Sequence, residues 1–189
     1  MTGKEVLSLF EEHGALLKGH FKLSSGLHSE KYLQCALVLQ YPDVAQKLSE
    51  ALAEKFPKVK ADVVIGPALG GVTLAYEVAR AMGARGLFTE RQEGKMVLRR
   101  GFSIEKNEKV LAVEDVVTTG GSTKEVIDVV KSFGAEVVGV GSIIDRSRAK
   151  VDFGAPFKSL AKIRIETFEE SSCPLCAKKI PVTKPGSRR

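Results

Sequence analysis

Residues 110–123 read Val-Leu-Ala-Val-Glu-Asp-Val-Val-Thr-Thr-Gly-Gly-Ser-Thr. An apolar run, Val110 to Val113, ends in two adjacent acids, Glu114 and Asp115. A Thr/Gly/Ser loop from Thr118 to Ser122 follows, and a helical pattern begins at Thr123. The order is strand, phosphate-sized loop, helix N-terminus. Small residues let backbone N–H groups approach an anion, and the helix dipole favours negative charge there. The hydroxyls of Thr118, Thr119, Ser122 and Thr123 add donors. The two acids repel a phosphate but accept hydrogen bonds from the hydroxyls of an attached sugar. The implied ligand is a sugar phosphate. A P-loop is excluded because no Lys lies between Glu114 and Thr123, and the dinucleotide fingerprint because Gly120 and Gly121 are adjacent. An ordinary strand–loop–helix turn with an N-capping hydroxyl leaves Glu114 and Asp115 unexplained.

Outward from this stretch the chain alternates. Thr2-x-x-Glu5 is a capping box ahead of Val6, Leu9, Phe10, His13 and Leu17, and that helix should end between Gly14 and Gly19. Residues 20–40 favour short strands or a hairpin. Pro42 opens a second helix along Val44, Leu48, Ala51, Leu52 and Phe56. Strands are expected at Ala61–Ile65, Arg85–Phe88, Val110–Val113, Glu136–Ile144 and Leu160–Ile165. Helices are expected at Gly71–Met82 and Thr123–Phe133, closed by Gly83 and Gly134. Such alternation implies an α/β fold with a parallel sheet. Ligands of these sheets bind at strand carboxyl ends. There, segments 65–71, 114–122 and 144–146 can converge on one crevice. Residues 89–109 are a long, charge-rich excursion bracketed in part by Gly94 and Gly101, the mark of a functional lid or of a solvated hairpin.

A chain of 189 residues suits one domain with a buried core. Its 43% hydrophobic and 28% charged residues are those of a globular protein. The net charge of +6 suggests nucleic acid, but Lys178, Lys179, Lys184, Arg188 and Arg189 supply most of it from the tail. With 6% aromatic residues, stacking platforms are scarce, so nucleic-acid binding is not expected. No stretch approaches a membrane span, and the N-terminus, with Lys4, Glu5, Glu11 and Glu12, lacks a signal region. A cytoplasmic protein is expected. Cys173-Pro174-Leu175-Cys176 has the spacing of half a zinc site. No second pair follows, and His13, His20 and His28 are distant in sequence. A pair of inert or redox-active thiols is therefore expected, zinc shared across a dimer being the alternative, with no metal ligands assigned. Cys35 is expected in the core.

The 110–123 stretch closely resembles the ribose-phosphate signature of type I phosphoribosyltransferases. Further motifs resemble the orotate-using branch of that family. Leu23-Ser24-Ser25-Gly26 followed by Tyr32 is similar to its N-terminal hood, and Ile65-Gly66-Pro67-Ala68-Leu69-Gly70-Gly71 to its diphosphate loop. Phe88 to Gly101, with Arg91 and Lys95, is similar to its mobile catalytic loop, and Ile144-Asp145-Arg146 to the place of the Arg that holds the orotate carboxylate. The similarity runs in order from about residue 3 to about 165. It implies a type I phosphoribosyltransferase-like fold, with a hood over about 1–40, a core over about 41–165 and a basic, Cys-containing tail over 166–189. There are departures. Ser24 and Gly70 stand where many members carry Lys, and Gln92 and Val97 replace the second and seventh residues of a loop that often reads Arg-Lys-x-x-Lys-x-His. Arg99 and Arg100 are candidates for the charge of the missing His.

The resemblance implies transfer of a phosphoribosyl group from 5-phosphoribosyl 1-diphosphate to orotate, in pyrimidine biosynthesis. It assigns the diphosphate to Ala68, Leu69, Gly70 and Gly71, and the ribose to Glu114 and Asp115. The 5-phosphate falls to the loop of Val116, Val117, Thr118, Thr119, Gly120, Gly121 and Ser122, and orotate to Thr118 and Arg146. Lys95, with Arg91, would neutralise the departing diphosphate, and Asp115 would also stabilise ring charge. Mg²⁺ is expected, held mainly through the substrate's diphosphate. A homodimer is implied, with the lid reaching into the neighbour's site. A purine-base phosphoribosyltransferase, a non-catalytic phosphoribosyl-diphosphate sensor and a flavodoxin-like mononucleotide binder are the alternatives. The position of Arg146 favours an acidic pyrimidine. A sensor would need an added nucleic-acid-binding domain for which the chain has no room, and a flavodoxin-like binder would not need Glu114–Asp115.

Overall fold

The apolar alternation along two central strands builds the molecule. Val63 and Ile65 of one strand, and Val110 and Ala112 of another, point into one buried cluster; Val64, Leu111 and Val113 point into a second on the opposite side. Successive strand residues face opposite ways, so a strand apolar at every position must be covered on both faces. The computed structural model describes residues 1–23 and 25–185 of the chain. Ser24 of the hood motif and Arg188 and Arg189 of the basic tail lie outside the described residues.

The elements run α1 (Gly3–Glu12), β1 (Leu16–Lys22), β2 (His28–Leu33), α2 (Ala36–Leu39), α3 (Pro42–Ala53), β3 (Val63–Pro67) and α4 (Gly70–Met82). There follow β4 (Arg85–Gln92), β5 (Lys95–Leu98), β6 (Lys109–Val117), α5 (Gly121–Ser132), β7 (Glu136–Asp145), β8 (Phe157–Lys162), a 3₁₀ turn (Glu170–Ser172) and α6 (Pro174–Ala177). The main sheet has the order β5-β4-β3-β6-β7-β8, parallel throughout except for β5. Helices α1, α3 and α4 supply Val6, Phe10, Leu48, Leu52, Leu74 and Val78 to one face. Helix α5 supplies Val126, Ile127 and Val130 to the other. Each such side chain contributes about 1.5–3 kcal/mol on leaving water. The α/β class with a mostly parallel sheet is as expected from the sequence.

Local signals set the boundaries. The Thr2 hydroxyl accepts from Glu5 N–H and the Glu5 carboxylate accepts from Thr2 N–H, closing the capping box. Pro42 occupies the first turn of α3. Three expectations need correction. Strand β6 continues past Val113 to Val117, because its pairing with β7 runs on to Val117–Asp145; the acids therefore lie within the strand. Strand β8 spans Phe157–Lys162 instead of 160–165, its register set by β7. Strand β4 does not stop at Phe88 but runs to Gln92 and turns at Glu93-Gly94, both at positive φ, into β5. The lid segment thus begins as a hairpin that extends the sheet edge, one of the two forms its composition allowed.

Strands β1 and β2 form a separate antiparallel hairpin. The tail returns to it twice: His28 and Phe168 exchange backbone hydrogen bonds on one side, and Thr183 bonds to His20 and Lys22 on the other.

Candidate active site

Three neighbouring parallel strands, β3, β6 and β7, end at Pro67, Val117 and Asp145, and the loops beyond them open into one cleft. Its volume is about 1810 Å³, above the ~300–1,000 Å³ of common small-ligand pockets and wide enough for two ligands side by side. Ala68, Leu69, Gly70 and Gly71 line it from β3; Glu114, Asp115, Val116, Thr118, Thr119 and Ser122 line it from β6; Arg146 lines it from β7. Leu23, Ser25, Leu27 and Tyr32 close it from the hairpin, and Glu166, Thr167, Phe168 and Lys184 from the tail.

Most of the residues singled out in the sequence meet here. Val117, Gly120 and Gly121 are not among the residues that line the cleft. Val117 is buried, and Gly120 sits at φ 77° against Val151 and Phe153, whose atoms would lie 2.7 and 2.8 Å from an added Cβ. Only glycine fits both that conformation and that approach. The Gly121 N–H is held by the Thr119 hydroxyl at 3.4 Å, which shapes the loop at the start of α5.

The carboxylates occupy different environments. Glu114 accepts from the Thr123 hydroxyl, a partner on the first turn of α5. Asp115 sits at the foot of the cleft, crowded by Gly70 and the buried Cys35. Burial pushes its carboxyl above the ordinary value, opposed by the Val116 N–H at 2.9 Å and the Cys35 thiol, both donating to it. Burial likewise drives the Cys35 thiol well above its usual range, and the Asp115 charge adds to it. Burial and the same carboxylate raise the Tyr32 hydroxyl, while the Arg146 guanidinium opposes them. Tyr32, Cys35, Asp115 and Arg146 therefore form one electrostatic group. The Arg146 Nε is buried without a hydrogen-bond partner among the described residues, on a side chain that borders the cleft. An unpaired guanidinium edge of this kind suits a planar carboxylate.

The cations of the hairpin lie apart from this group. Arg91 reaches the cleft, tied to the Gly94 carbonyl at 2.7 Å and to Glu125 at 2.5 Å. Lys95 is exposed at the hairpin turn and does not line the cleft of its own chain. Arg99 and Arg100 both turn to Glu90, Arg100 at 2.9 and 3.0 Å and Arg99 at 3.6 Å, and neither lines the cleft of its own chain. The roles of Tyr32 beyond its motif, of Cys35 beneath Asp115, and of the tail as a cleft wall carry no spacing signal in the sequence.

Comparison with known proteins agrees with this geometry. The phosphoribosyl transferase domain family matches residues 37–175. The orotate phosphoribosyltransferase of Caldanaerobacter subterraneus subsp. tengcongensis is 58% identical over the full length of both chains. That of Thermotoga maritima is 55% identical over 98% of this chain and 97% of its own. Among solved structures, the orotate phosphoribosyltransferase of Aeropyrum pernix superposes with a TM-score of 0.65 at 25% identity, over 84% of this chain and 93% of its own. The Mycobacterium tuberculosis enzyme shares the fold, with a TM-score of 0.66 at 23% identity over 85% of this chain and 96% of its own. Matched from strand tips to tail, the chain belongs to the phosphoribosyl transferase family, among its orotate phosphoribosyltransferases.

Proposed function

We propose that the chain transfers the 5-phosphoribosyl group of 5-phosphoribosyl 1-diphosphate to orotate, giving orotidine 5′-phosphate and diphosphate in pyrimidine biosynthesis. One observation carries the reading: an acid pair with a hydroxyl-rich helix-start loop on one strand, and just past the next strand an Arg whose Nε has no partner among the described residues, border the same cleft. The loop from Thr118 to Ser122 binds the 5-phosphate through backbone N–H groups and hydroxyls. Glu114 and Asp115 accept from the ribose hydroxyls. The amides of residues 68–71 hold the diphosphate. Arg146 takes the orotate carboxylate in bidentate fashion, with Thr118 beside the ring.

The ring nitrogen of orotate bonds to C1 as the C1–oxygen bond breaks. The bonding pair leaves with diphosphate, and the proton of the nitrogen passes to the departing diphosphate or to water. Positive charge grows on the ribose and negative charge on the leaving group, so fixed charges of the right sign do most of the work. The Asp115 carboxylate faces the first, and the Arg91 and Lys95 cations the second. Glu114 and Asp115 offer few hard oxygen ligands, which fits a Mg²⁺ that keeps mostly phosphate and water around it. Bound through the diphosphate, Mg²⁺ would neutralise charge on the leaving group. We place the enzyme in the cytoplasm as a homodimer. The position of Lys95 outside its own chain's cleft supports a hairpin that serves the partner's site.

The deciding experiment incubates the purified protein with orotate, 5-phosphoribosyl 1-diphosphate and Mg²⁺ and follows orotidine 5′-phosphate. Turnover with hypoxanthine, xanthine or adenine but not with orotate would replace this reading with a purine-base transferase. Binding of the sugar donor without turnover of any base would replace it with a sensor.

A further inference from the structure

The tail lays two cysteines over two histidines of the β1–β2 hairpin. His20 comes from β1, His28 from β2, Cys173 from the turn before α6, and Cys176 from α6 itself. All four are buried or half-buried, and one ligand atom from each lies within 4.8 Å of all the others. His20 Nε2 is 2.8 Å from His28 Nδ1 and 3.7 Å from the sulfurs of both cysteines; Cys176 Sγ is 3.2 Å from His28 Nδ1. With Zn–N of about 2.0–2.1 Å and Zn–S of about 2.3 Å, a tetrahedral ion sets its ligands about 3.3 Å apart for N–N, about 3.6 Å for N–S and about 3.8 Å for S–S. Three N–S edges, at 3.7, 3.7 and 3.2 Å, and the N–N edge at 2.8 Å lie close to those values, and every edge is within 4.8 Å. The two thiols do not stand by themselves: two histidines more than 140 residues upstream lie beside them.

The surroundings of the rings supply an independent indication. His20 Nδ1 lies 2.7 Å from the Ile180 carbonyl, an acceptor only, so Nδ1 carries the proton and Nε2 turns a lone pair into the cluster. His28 Nε2 is buried with no hydrogen-bond partner among the described residues and faces the Glu170 carboxylate at 4.0 Å, leaving Nδ1 to face the cluster. The backbone carbonyl behind His20 is the kind of support that metal-bound histidines use to fix tautomer and ring angle. With both rings turning lone pairs inward, the 2.8 Å approach of His20 Nε2 to His28 Nδ1 is repulsive unless a cation or a further proton lies between them.

We propose that His20, His28, Cys173 and Cys176 form a tetrahedral zinc site that clips the tail to the hood hairpin. Two thiolates and two imidazoles suit this borderline-soft ion, and four protein ligands leave no open position, as in structural sites. None of the four lines the cleft. Their effect on the reaction is therefore one of position. The clip sits between the two places where the tail pairs with the hairpin, Phe168 with His28 and Thr183 with Phe21. It thereby holds Thr167, Phe168 and Lys184 against the cleft as one wall and Tyr32 as another.

The test is made on the full-length untagged protein, purified without chelator. Metal analysis should return about one zinc per chain. Replacement by Co²⁺ should give the thiolate charge-transfer and d–d absorption of a tetrahedral S₂N₂ site. A mercurial titrating Cys173 and Cys176 should release the zinc in step with the two thiols. Removing the metal should lower the thermal midpoint by roughly 5–10 °C. The Cys173→Ser/Cys176→Ser and His20→Ala/His28→Ala pairs should each lose the zinc and the cobalt spectrum. Should a variant fail to fold, the stoichiometry and mercurial titration of the unaltered protein still decide. Protein that stays metal-free after exposure to zinc and dialysis, or that joins Cys173 to Cys176 in a disulfide, overturns the proposal. So does zinc that persists in a folded double-cysteine variant.

Discussion

The backbone of Gly70 rests against the carboxylate of Asp115: a methyl group at residue 70 would stand 2.5 Å from Oδ2 and 2.8 Å from Cγ. The carboxylate has little room to retreat, since Oδ1 accepts from Val116 N–H and the buried Cys35 lies beside it. At the place where many members of the resembled family carry Lys, this chain sets the 68–71 loop directly against Asp115. Gly70→Ala must therefore move one or the other. Displacements of about 1 Å in a catalytic group cost about 10²-fold, and that is the loss expected in kcat/KM for the sugar donor. Gly70 is exposed at the start of α4, so the melting temperature should shift by less than about 2 °C. Steady-state kinetics beside a thermal melt checks both, and an unchanged kcat/KM would mean that Asp115 moves without consequence.

Asp115 also sets a pH dependence. Burial holds its carboxyl above the usual Asp value of about 3.9. The ionised form is the one that accepts from ribose hydroxyls. The acid limb of kcat/KM for the sugar donor should thus lie above the ordinary Asp range. Asp115→Asn should abolish that limb and cost ~10–100-fold, the worth of hydrogen bonds to a charged group. Stability carries the opposite sign. A folded-state pKa raised above the unfolded one means that the native state holds the proton more tightly. This group's contribution therefore falls as pH rises from the unfolded pKa through the folded one. Urea unfolding over that window should show the slope in the parent protein and a flatter profile in Asp115→Asn.

What the sequence disclosed and what it hid divide along physical lines. Val110–Val113 followed by Glu114-Asp115 is local, and the local order of strand, acids, loop and helix survives, although the strand runs on through the acids to Val117. The convergence of Pro67, Val117 and Asp145 also followed, because parallel strands deliver their carboxyl ends to one edge. Contacts between residues far apart in the chain left no trace. Cys35 beneath Asp115, Tyr32 beside Arg146 and His20 beside Cys173 are set by how the hairpin and the tail fold back, which no periodicity encodes. The extent of β4 was misjudged for another reason. Thr89 to Gln92 carries the charge of a loop, yet it pairs with the edge strand β5, where Arg91 and Gln92 are exposed.

Arg146 should act on one substrate and not the other. Among the described residues its Nε has no hydrogen-bond partner, so the loss on removing the side chain should fall mainly on the ligand. Arg146→Ala should raise KM for orotate by ~10–100-fold, the range of charge-assisted hydrogen bonds. Binding of 5-phosphoribosyl 1-diphosphate, measured by calorimetry with Mg²⁺, should stay within about 3-fold. Arg146→Lys should not rescue, because an ammonium cannot meet a carboxylate with two parallel N–H donors. An orotate KM that survives Arg146→Ala would move carboxylate recognition elsewhere in the cleft.

Lys95 poses the question of which subunit it serves. It stands exposed at the turn of the β4–β5 hairpin, while Arg91, four residues earlier on the paired strand, reaches the cleft of its own chain. If Lys95 neutralises the departing diphosphate, Lys95→Ala should reduce kcat by ~10²-fold or more with little change in substrate binding, since the charge it meets grows mainly in the transition state. Mixing Lys95→Ala with Arg146→Ala subunits then separates the two geometries. A lid acting across a two-fold dimer gives hybrids with one intact site, so activity returns to about a quarter of the parent level after statistical exchange, half the dimers being hybrids with one working site of two. A lid acting within its own chain leaves every site short of one residue, and the mixture stays as inactive as its parts.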